Sequence, residues 1–160
     1  AHITLAEIRY ALGDIDDSIR IVRELLESGR QSRRQTTVAL GNLAGYLLAQ
    51  DRIDEARLAM IEGLRTARAV GHSASIARVV EHAALMSALT GEPRRAARLL
   101  GYGRAFYARG SASREHTEDV TLARASALVV AALRADEIAA LMAEGETLGE
   151  AEACEIARGA

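Results

Sequence analysis

Three six-residue segments of similar sequence occur along the chain: Gly13-Asp-Ile-Asp-Asp-Ser18, Asp51-Arg-Ile-Asp-Glu-Ala56 and Gly91-Glu-Pro-Arg-Arg-Ala96. The small residue that ends each segment stands at positions 18, 56 and 96, so the segments recur after 38 and then 40 residues. An apolar helical pattern precedes each segment, and an amphipathic helical pattern follows it. A self-similar period of this length predicts a stack of helical hairpins, each burying its apolar face on the next.

The spacing of apolar residues indicates helices along the whole chain. They recur at steps of three and four, and strand-like alternation is almost absent. Gly13, Gly71 and Gly110 are predicted to end helices in the left-handed conformation. The predicted helices span 2–12, 15–28, 33–50, 53–70, 74–90, 93–109, 113–134, 136–145 and 149–158. The sequence therefore predicts a single all-α domain over 1–160, with hairpins at about 2–28, 33–70, 74–109 and 113–145 and a tail helix at 149–158.

Composition excludes several classes of function. The chain has 160 residues, with 20 arginines, no lysine, 22 acidic residues and a net charge of −2. This balance gives no overall field for nucleic acid or an anionic membrane, and the absence of lysine excludes Schiff-base and P-loop chemistry within these residues. Cys154 is the only cysteine, which is typical of a reducing compartment. We expect a cytoplasmic protein and, because the first residue is Ala1 rather than Met, a piece of a longer chain.

The turn segments and the helices beside them resemble a tetratricopeptide repeat. The resemblance lies in a small residue six positions into each segment and a bulky apolar one four further along (Ala56 to Met60, Ala96 to Leu100). It also lies in Leu40, Leu43-Ala44 and Leu47 of the preceding helix. The resemblance covers about residues 2–110 and implies a right-handed superhelix of about four helical hairpins plus a short C-terminal helix. The period here is longer than the family's, which is about 34 residues.

A second resemblance concerns the layout of the whole chain. Ala39-Leu-Gly-Asn-Leu-Ala-Gly-Tyr-Leu-Leu-Ala49, Arg95-Ala-Ala-Arg-Leu-Leu-Gly101 and Ala143-Glu-Gly-Glu-Thr-Leu-Gly-Glu-Ala151 are similar to the C-terminal repeat region of large bacterial signal-transduction ATPases and transcriptional regulators. In that family the region follows an ATPase module, often with a DNA-binding winged helix or a nucleotide cyclase. The resemblance implies that this chain is a sensing or partner-binding arm.

The tetratricopeptide pattern also implies a partner-binding groove. In such stacks the first helix of each hairpin lines the concave surface, which suits capture of a peptide or a partner helix. The residues that this pattern places there are Glu7, Tyr10, Asn42, Tyr46, Arg78, Glu81 and His82. Because groove residues are solvent-exposed, we expect Arg78→Ala and Glu81→Ala to leave folding intact.

Candidate catalytic and metal-binding residues are few. None of the four histidines stands at metal-ligand spacing from another histidine or from Cys154. The best cluster is Glu115-His116 with Glu118 and Asp119, which could serve a hard cation or proton transfer. Solvated carboxylates in the first turn of a helix, where the helix dipole favours them, explain the same pattern. The sequence therefore predicts no catalysis, no metal and no cofactor, with an enzyme using the His116 cluster as a less favoured alternative.

An arginine-rich segment raises the question of nucleic-acid binding. Residues 93–114 contain six arginines and no acid, and residues 136–155 contain seven acids and no arginine. On a helical projection the aromatic residues of 93–114 fall on the apolar face, so we expect them inside the fold. We therefore expect the two segments to neutralise each other across neighbouring helices, with no direct contact to nucleic acid. Gly101 and Gly103 are expected mid-helix, where small residues let another helix approach.

The first helix offers a surface for self-association. It carries an apolar row with no hairpin before it, formed by Ile3, Leu5, Ile8 and Leu12. The sequence thus predicts a non-catalytic protein–protein interaction or ligand-sensing repeat domain of a bacterial cytoplasmic regulator. Its partner would be a protein, a peptide or another domain of the same chain, with no membrane contact. The alternative is a stand-alone homo-oligomeric scaffold that associates through the first helix.

Overall fold

The computed structural model describes residues 2–110 and 112–159. These residues form nine α-helices and no strand, which confirms the all-α fold class. The helices are α1 (His2–Ala11), α2 (Ile15–Ser28), α3 (Arg33–Ala49), α4 (Ile53–Ala69), α5 (Ser73–Leu89), α6 (Pro93–Ala108), α7 (His116–Ala132), α8 (Ala135–Glu146) and α9 (Glu150–Arg158).

Eight of these described helices begin and end within one residue of the sequence prediction. The three glycines predicted to end helices adopt positive φ angles, +86° at Gly13, +63° at Gly71 and +73° at Gly110. The exception is α7, which was expected from residue 113 to residue 134. It begins at His116 because the Glu118 carboxylate accepts a hydrogen bond from the backbone N–H of Glu115 (2.7 Å) and so caps the helix there.

The chain divides into two compact units, the first ending at Ile76 in the first turn of α5. In this unit α1 packs on α2, α2 on α3 and α3 on α4, and α1 also contacts α3. Every residue from Ala39 to Leu48 in α3 is buried, as expected for a helix covered on all sides. The hydroxyl of Ser18 donates to the carbonyl of Ala6 (2.9 Å), which ties α2 to α1 in the core.

The second unit begins at Ala77 and contains the rest of α5 together with α6 to α9. Here α6 is the central helix, since α7, α8 and α9 all pack against it. The sequence predicted a hairpin over 113–145, in which α8 would pack mainly on α7. In the structure α8 packs chiefly on α6 and touches α7 only slightly.

Opposed glycines explain why α8 packs on α6. A Cβ atom at Gly101 of α6 would lie 2.1 Å from the carbonyl oxygen of Met142, and one at Gly145 of α8 would lie 1.9 Å from the carbonyl oxygen of Arg98. The two backbones therefore meet at a distance that only glycine allows. This confirms the prediction that Gly101 lies mid-helix at a close approach of another helix. No helix within 2–110 and 112–159 is long and apolar enough to cross a membrane.

Candidate functional site

The predicted groove residues are mostly inaccessible to solvent. Glu7 is half-buried, and the other six are buried: Tyr10, Asn42, Tyr46, Arg78, Glu81 and His82. Four of the seven lie in the first unit and three in the second. In the first unit Glu7 hydrogen-bonds to Asn42 and Tyr46, and in the second unit Arg78 and Glu81 form ion pairs. The expectation that Arg78 and Glu81 are exposed side chains is therefore wrong, because each forms ion pairs inside the fold.

The cluster of the first unit joins α1 to α3. The carboxylate of Glu7 accepts hydrogen bonds from the hydroxyl of Tyr46 (2.6 Å) and the side-chain amide of Asn42 (3.3 Å). The ring of Tyr46 stacks on that of Tyr10, with centroids 4.9 Å apart. Because these contacts use the polar groups to hold two helices together, this cluster stabilises the fold.

The cluster of the second unit is a buried charge network centred on Glu118. The Glu118 side chain is 1% exposed and lies 3.2 Å from the guanidinium of Arg78, which is 10% exposed. Arg78 also lies 3.5 Å from Glu115. The hydroxyl of Tyr107 donates to Glu118 from the side of α6. One carboxylate thus connects α5, α6 and α7.

A second ion pair completes the network. Glu81, fully buried on α5, accepts two hydrogen bonds from Arg114, 3.0 Å from Nε and 2.7 Å from Nη2. The Arg114 guanidinium also lies over the ring of Tyr107, 4.0 Å from its centroid. The guanidinium thus binds the Glu81 carboxylate through two N–H groups on its edge and contacts the Tyr107 ring with its planar face. A Cβ at Gly103 would lie 2.3 Å from Glu81, so glycine there leaves room for this pair.

Burial and charge move the pKa values of these groups in different directions. Burial alone would raise the pKa of Glu118, but Arg78, the Glu115 N–H and the Tyr107 hydroxyl together hold that pKa below its usual value. Burial raises the pKa of Glu81 against the lowering effect of Arg114. Burial, with the nearby charge of Glu118, raises the pKa of Tyr107. The network therefore favours an ionised Glu118 next to a neutral phenol.

The lowered pKa of Glu118 predicts a specific loss of stability in acid. In the unfolded chain this carboxyl binds a proton near its usual pKa of 4.5, whereas in the native state it resists protonation. The unfolded state then binds more protons, so the contribution is present above that pH and is lost as the pH falls below it. We expect Glu118→Gln to be less stable than the wild type at neutral pH and to lose less stability between about pH 5 and pH 3.

Urea unfolding at a series of pH values measures this difference. Glu144→Gln is the matched control, because the Glu144 side chain is 59% exposed and its ion pair with Arg98 is 3.5 Å long. We expect the control to follow the wild-type pH dependence. Equal acid slopes for Glu118→Gln and the wild type would contradict the role assigned to Arg78 and Tyr107.

A cleft adjoins this network on its outer side. It has a volume of about 400 Å³ and lies among α6, α7, α8 and the segment before α7. Its described lining residues are Leu100, Arg104, Tyr107, Ala108, Arg114, Leu122, Ser126 and Met142. Tyr107 and Arg114 belong to both the network and the cleft, so anything bound in the cleft would touch the network directly.

The acidic cluster around His116 is not assembled as one site. Glu118 points into the buried network, whereas His116 and Asp119 are exposed. The other explanation of this cluster, that all its carboxylates are solvated in the first turn of a helix, is wrong for Glu118, because that side chain is buried. Across the described residues, no group of three His, Cys, Asp or Glu side chains is placed to hold a metal ion.

The predicted neutralisation of the arginine-rich segment is confirmed for three of its six arginines, whereas Arg114 pairs with Glu81 of α5. Arg94 pairs with Glu137 (2.9 Å), Arg98 with Glu144 (3.5 Å) and Arg104 with Glu146 (2.5 Å), all between α6 and α8.

Comparison of the chain with protein-family models, with curated proteins and with solved structures finds no match. The two family resemblances of the sequence therefore remain predictions. The buried network and the cleft beside it form the candidate functional site.

Proposed function

We propose that the chain is a non-catalytic protein–protein interaction or ligand-sensing repeat domain of a bacterial cytoplasmic regulator in signal transduction or transcription. Its architecture would be a tetratricopeptide-like right-handed superhelix. The 38- and 40-residue recurrence of the turn segments supports this proposal, as do the all-α fold and the family-like stretches of sequence. In this proposal, any ATPase, cyclase or DNA-binding chemistry belongs to other parts of a longer chain.

The observation that carries the proposal is the cleft of about 400 Å³ next to the buried charge network. Clefts of this volume accommodate a small molecule or a few side chains of a partner. Glu118 connects three helices through Arg78 and Tyr107, and Tyr107 also lines the cleft. Occupation of the cleft would therefore bias the packing of α6 and α7 on α5. A change in helix packing is the kind of signal that such an arm passes to an effector domain.

The experiment is to identify the native polypeptide that contains this chain. An antibody raised against residues 1–160 would precipitate that polypeptide from its own cells, and peptide mass spectrometry would cover its length. We expect a polypeptide several times longer than 160 residues, with an ATPase or another effector domain in the same chain. A native polypeptide no longer than this chain would overturn the regulator proposal.

The exposed face of α1 favours a second candidate function, a homo-oligomeric scaffold. Leu5 and Ile8 are 43% and 52% exposed and lie on one side of α1, and Leu12, directly after the helix, is 74% exposed. Ile8 stands 38 residues before Tyr46 and Leu5 stands 38 residues before Leu43, and both of these α3 residues are buried. Leu5 and Ile8 of α1 thus correspond, one repeat earlier, to residues that are buried in α3. In a scaffold, a second copy of the chain would cover this face of α1.

If the scaffold proposal holds, Ile8→Glu is expected to weaken self-association by at least about tenfold, because a carboxylate would be buried without a partner. Sedimentation velocity over a range of concentrations measures the association. Leu58→Glu is the matched control, since Leu58 is 69% exposed on α4 and lies outside the α1 face. A wild type that stays monomeric, or equal association of the wild type and Ile8→Glu, would eliminate the scaffold proposal.

A further inference from the structure

The cleft of the C-terminal unit combines an apolar body with a cationic side. Leu100 on α6, Leu122 on α7 and Met142 on α8 supply apolar walls from three helices. The described lining contains two arginines and no acidic residue. Such a lining favours a ligand with an apolar body and a negative charge at one end.

The arginine side chains retain donors that a ligand could use. Arg114 is held by Glu81 through Nε and Nη2 and by the Tyr107 ring, and its Nη1 donates no hydrogen bond to any described residue. Arg114 is thus a fixed donor at the wall of the cleft, oriented before a ligand arrives.

Arg104 supplies a second and more adaptable cation. Its Nε lies 2.5 Å from Glu146, and both side chains of this pair are solvent-exposed, 54% for Arg104 and 37% for Glu146. Exposed pairs of this kind contribute little to stability, so an anion in the cleft competes with Glu146 at little cost. Its two Nη groups make no hydrogen bond within the described residues.

The remaining polar groups of the lining limit the ligand further. Ser126 supplies the one aliphatic hydroxyl among the described lining residues, and the Tyr107 hydroxyl already donates to Glu118. A nucleotide or a sugar phosphate would bury several hydroxyl and amide groups without partners here, which is unfavourable. An anion with a single charged group and an otherwise apolar body leaves no such group unpaired.

We propose that this cleft binds a small amphipathic monoanion, an aromatic or short aliphatic carboxylate or sulfonate. The apolar body lies against Leu100, Leu122 and Met142, and the anionic group lies at Arg104 and Arg114. This inference deepens the ligand-sensing form of the proposed function and depends on it. The signal is read by the Tyr107–Glu118 contact, which the bound anion adjoins.

The test uses two fluorescent probes with the whole chain of 160 residues. Anilinonaphthalene sulfonate carries an aromatic body and one negative charge, and N-phenylnaphthylamine is a neutral molecule of similar shape. We expect saturable binding of the sulfonate at one site per chain, with displacement by decanoate. Ser126→Phe, which fills the cleft, is expected to weaken binding of both probes by at least about tenfold.

Two variants separate the contributions of shape and charge. Ala123→Phe makes a similar change on the exposed side of the same helix, and its binding of both probes is expected to equal that of the wild type. Arg104→Met keeps the stem of the side chain but removes its charge. We expect it to weaken sulfonate binding about tenfold, the effect of one charge-assisted hydrogen bond, and to leave binding of the neutral probe unchanged.

Three outcomes would overturn the inference while circular dichroism shows folded protein. They are no saturable binding by the wild type, binding that Ser126→Phe leaves unchanged, and equal effects of Arg104→Met on the two probes. None of them bears on the length of the native polypeptide, so the regulator proposal is judged separately. Conversely, a native polypeptide of only 160 residues would leave the cleft and its probe binding in place.

Discussion

Replacing Arg78 with alanine is expected to lower the free energy of unfolding by about 3–5 kcal/mol. The substitution removes the cation that lies 3.2 Å from Glu118 and leaves that carboxylate buried, with 1% of its side chain exposed. An ionised group in this position is strongly disfavoured once its partner is gone, and protonating it also has a free-energy cost at neutral pH. This expectation reverses the sequence-based one, in which Arg78→Ala leaves folding intact.

Urea unfolding followed by circular dichroism measures the loss. Arg104→Ala is the matched control, because it removes the same type of side chain from a solvent-exposed ion pair with Glu146. The control is expected to change stability by about 0–1 kcal/mol. The double variant Arg78→Ala with Glu118→Ala should recover part of the loss, since it leaves no buried carboxylate unpaired. If Arg78→Ala proved as mild as Arg104→Ala, the network would not be the stabilising element described above.

Replacing Gly101 with alanine is expected to lower the free energy of unfolding by about 2 kcal/mol. Overpacking a tight interior costs about 1–3 kcal/mol, and alanine returns up to about 1 kcal/mol through its higher helix propensity. The new Cβ would stand 2.1 Å from the carbonyl oxygen of Met142, and its next two neighbours are also backbone atoms of that residue. No side-chain rotation relieves a contact between two backbones, so α8 must shift away from α6. We therefore expect the loss of unfolding free energy from this shift to be well above the gain from helix propensity.

Gly145→Ala should behave in the same way, since its Cβ would lie 1.9 Å from the carbonyl oxygen of Arg98 and 3.0 Å from the Cα of Gly101. Combining it with Gly101→Ala should cost less than the sum of the two single losses, because the shift that admits one methyl group makes room for the other. Gly159→Ala is the matched control, with no contact shorter than 3.5 Å at its Cβ. Thermal unfolding would compare these four variants with the wild type. Strict additivity, or a loss for Gly101→Ala no larger than for Gly159→Ala, would contradict this account of α6 and α8.

The repeat period also indicates which polar residues of the candidate site contact one another. Within the first unit, the Thr37 and Ser75 hydroxyls lie 3.2 Å apart across 38 residues, and Glu7 and Tyr46 meet across 39. Within the second unit, Arg78 meets Glu118 across 40 residues. These separations lie within the 38- to 40-residue spacing of the turn segments, because a period places corresponding helices side by side. Pairing Arg78 with an acid one period further along would have found Glu118.

Arg114 is a different case. It pairs with Glu81 across 33 residues, a separation unrelated to the period, from a segment that precedes α7 and has no regular structure. No pattern in the sequence marks this arginine as a partner of a buried carboxylate. Tyr107 was expected inside the fold but is half-buried beside the cleft, and its bond to Glu118 comes from the packing of α7 on α6.

Local signals in the sequence determined the helices of this protein and where most of them end. Apolar spacing, glycines that adopt positive φ, and the proline at the start of α6 act within one or two turns, so they can be recognised without the fold. Charge segregation between 93–114 and 136–155 likewise sufficed to predict ion pairs between these two segments, whereas the packing of α8 on α6 in place of α7 was not predicted. What only the tertiary structure decided is which polar side chains point inward. Arg78 and Glu81 are buried because other helices and loops bring Glu118 and Arg114 to them, and a helix's own sequence does not record the charge of a neighbour that packs against it.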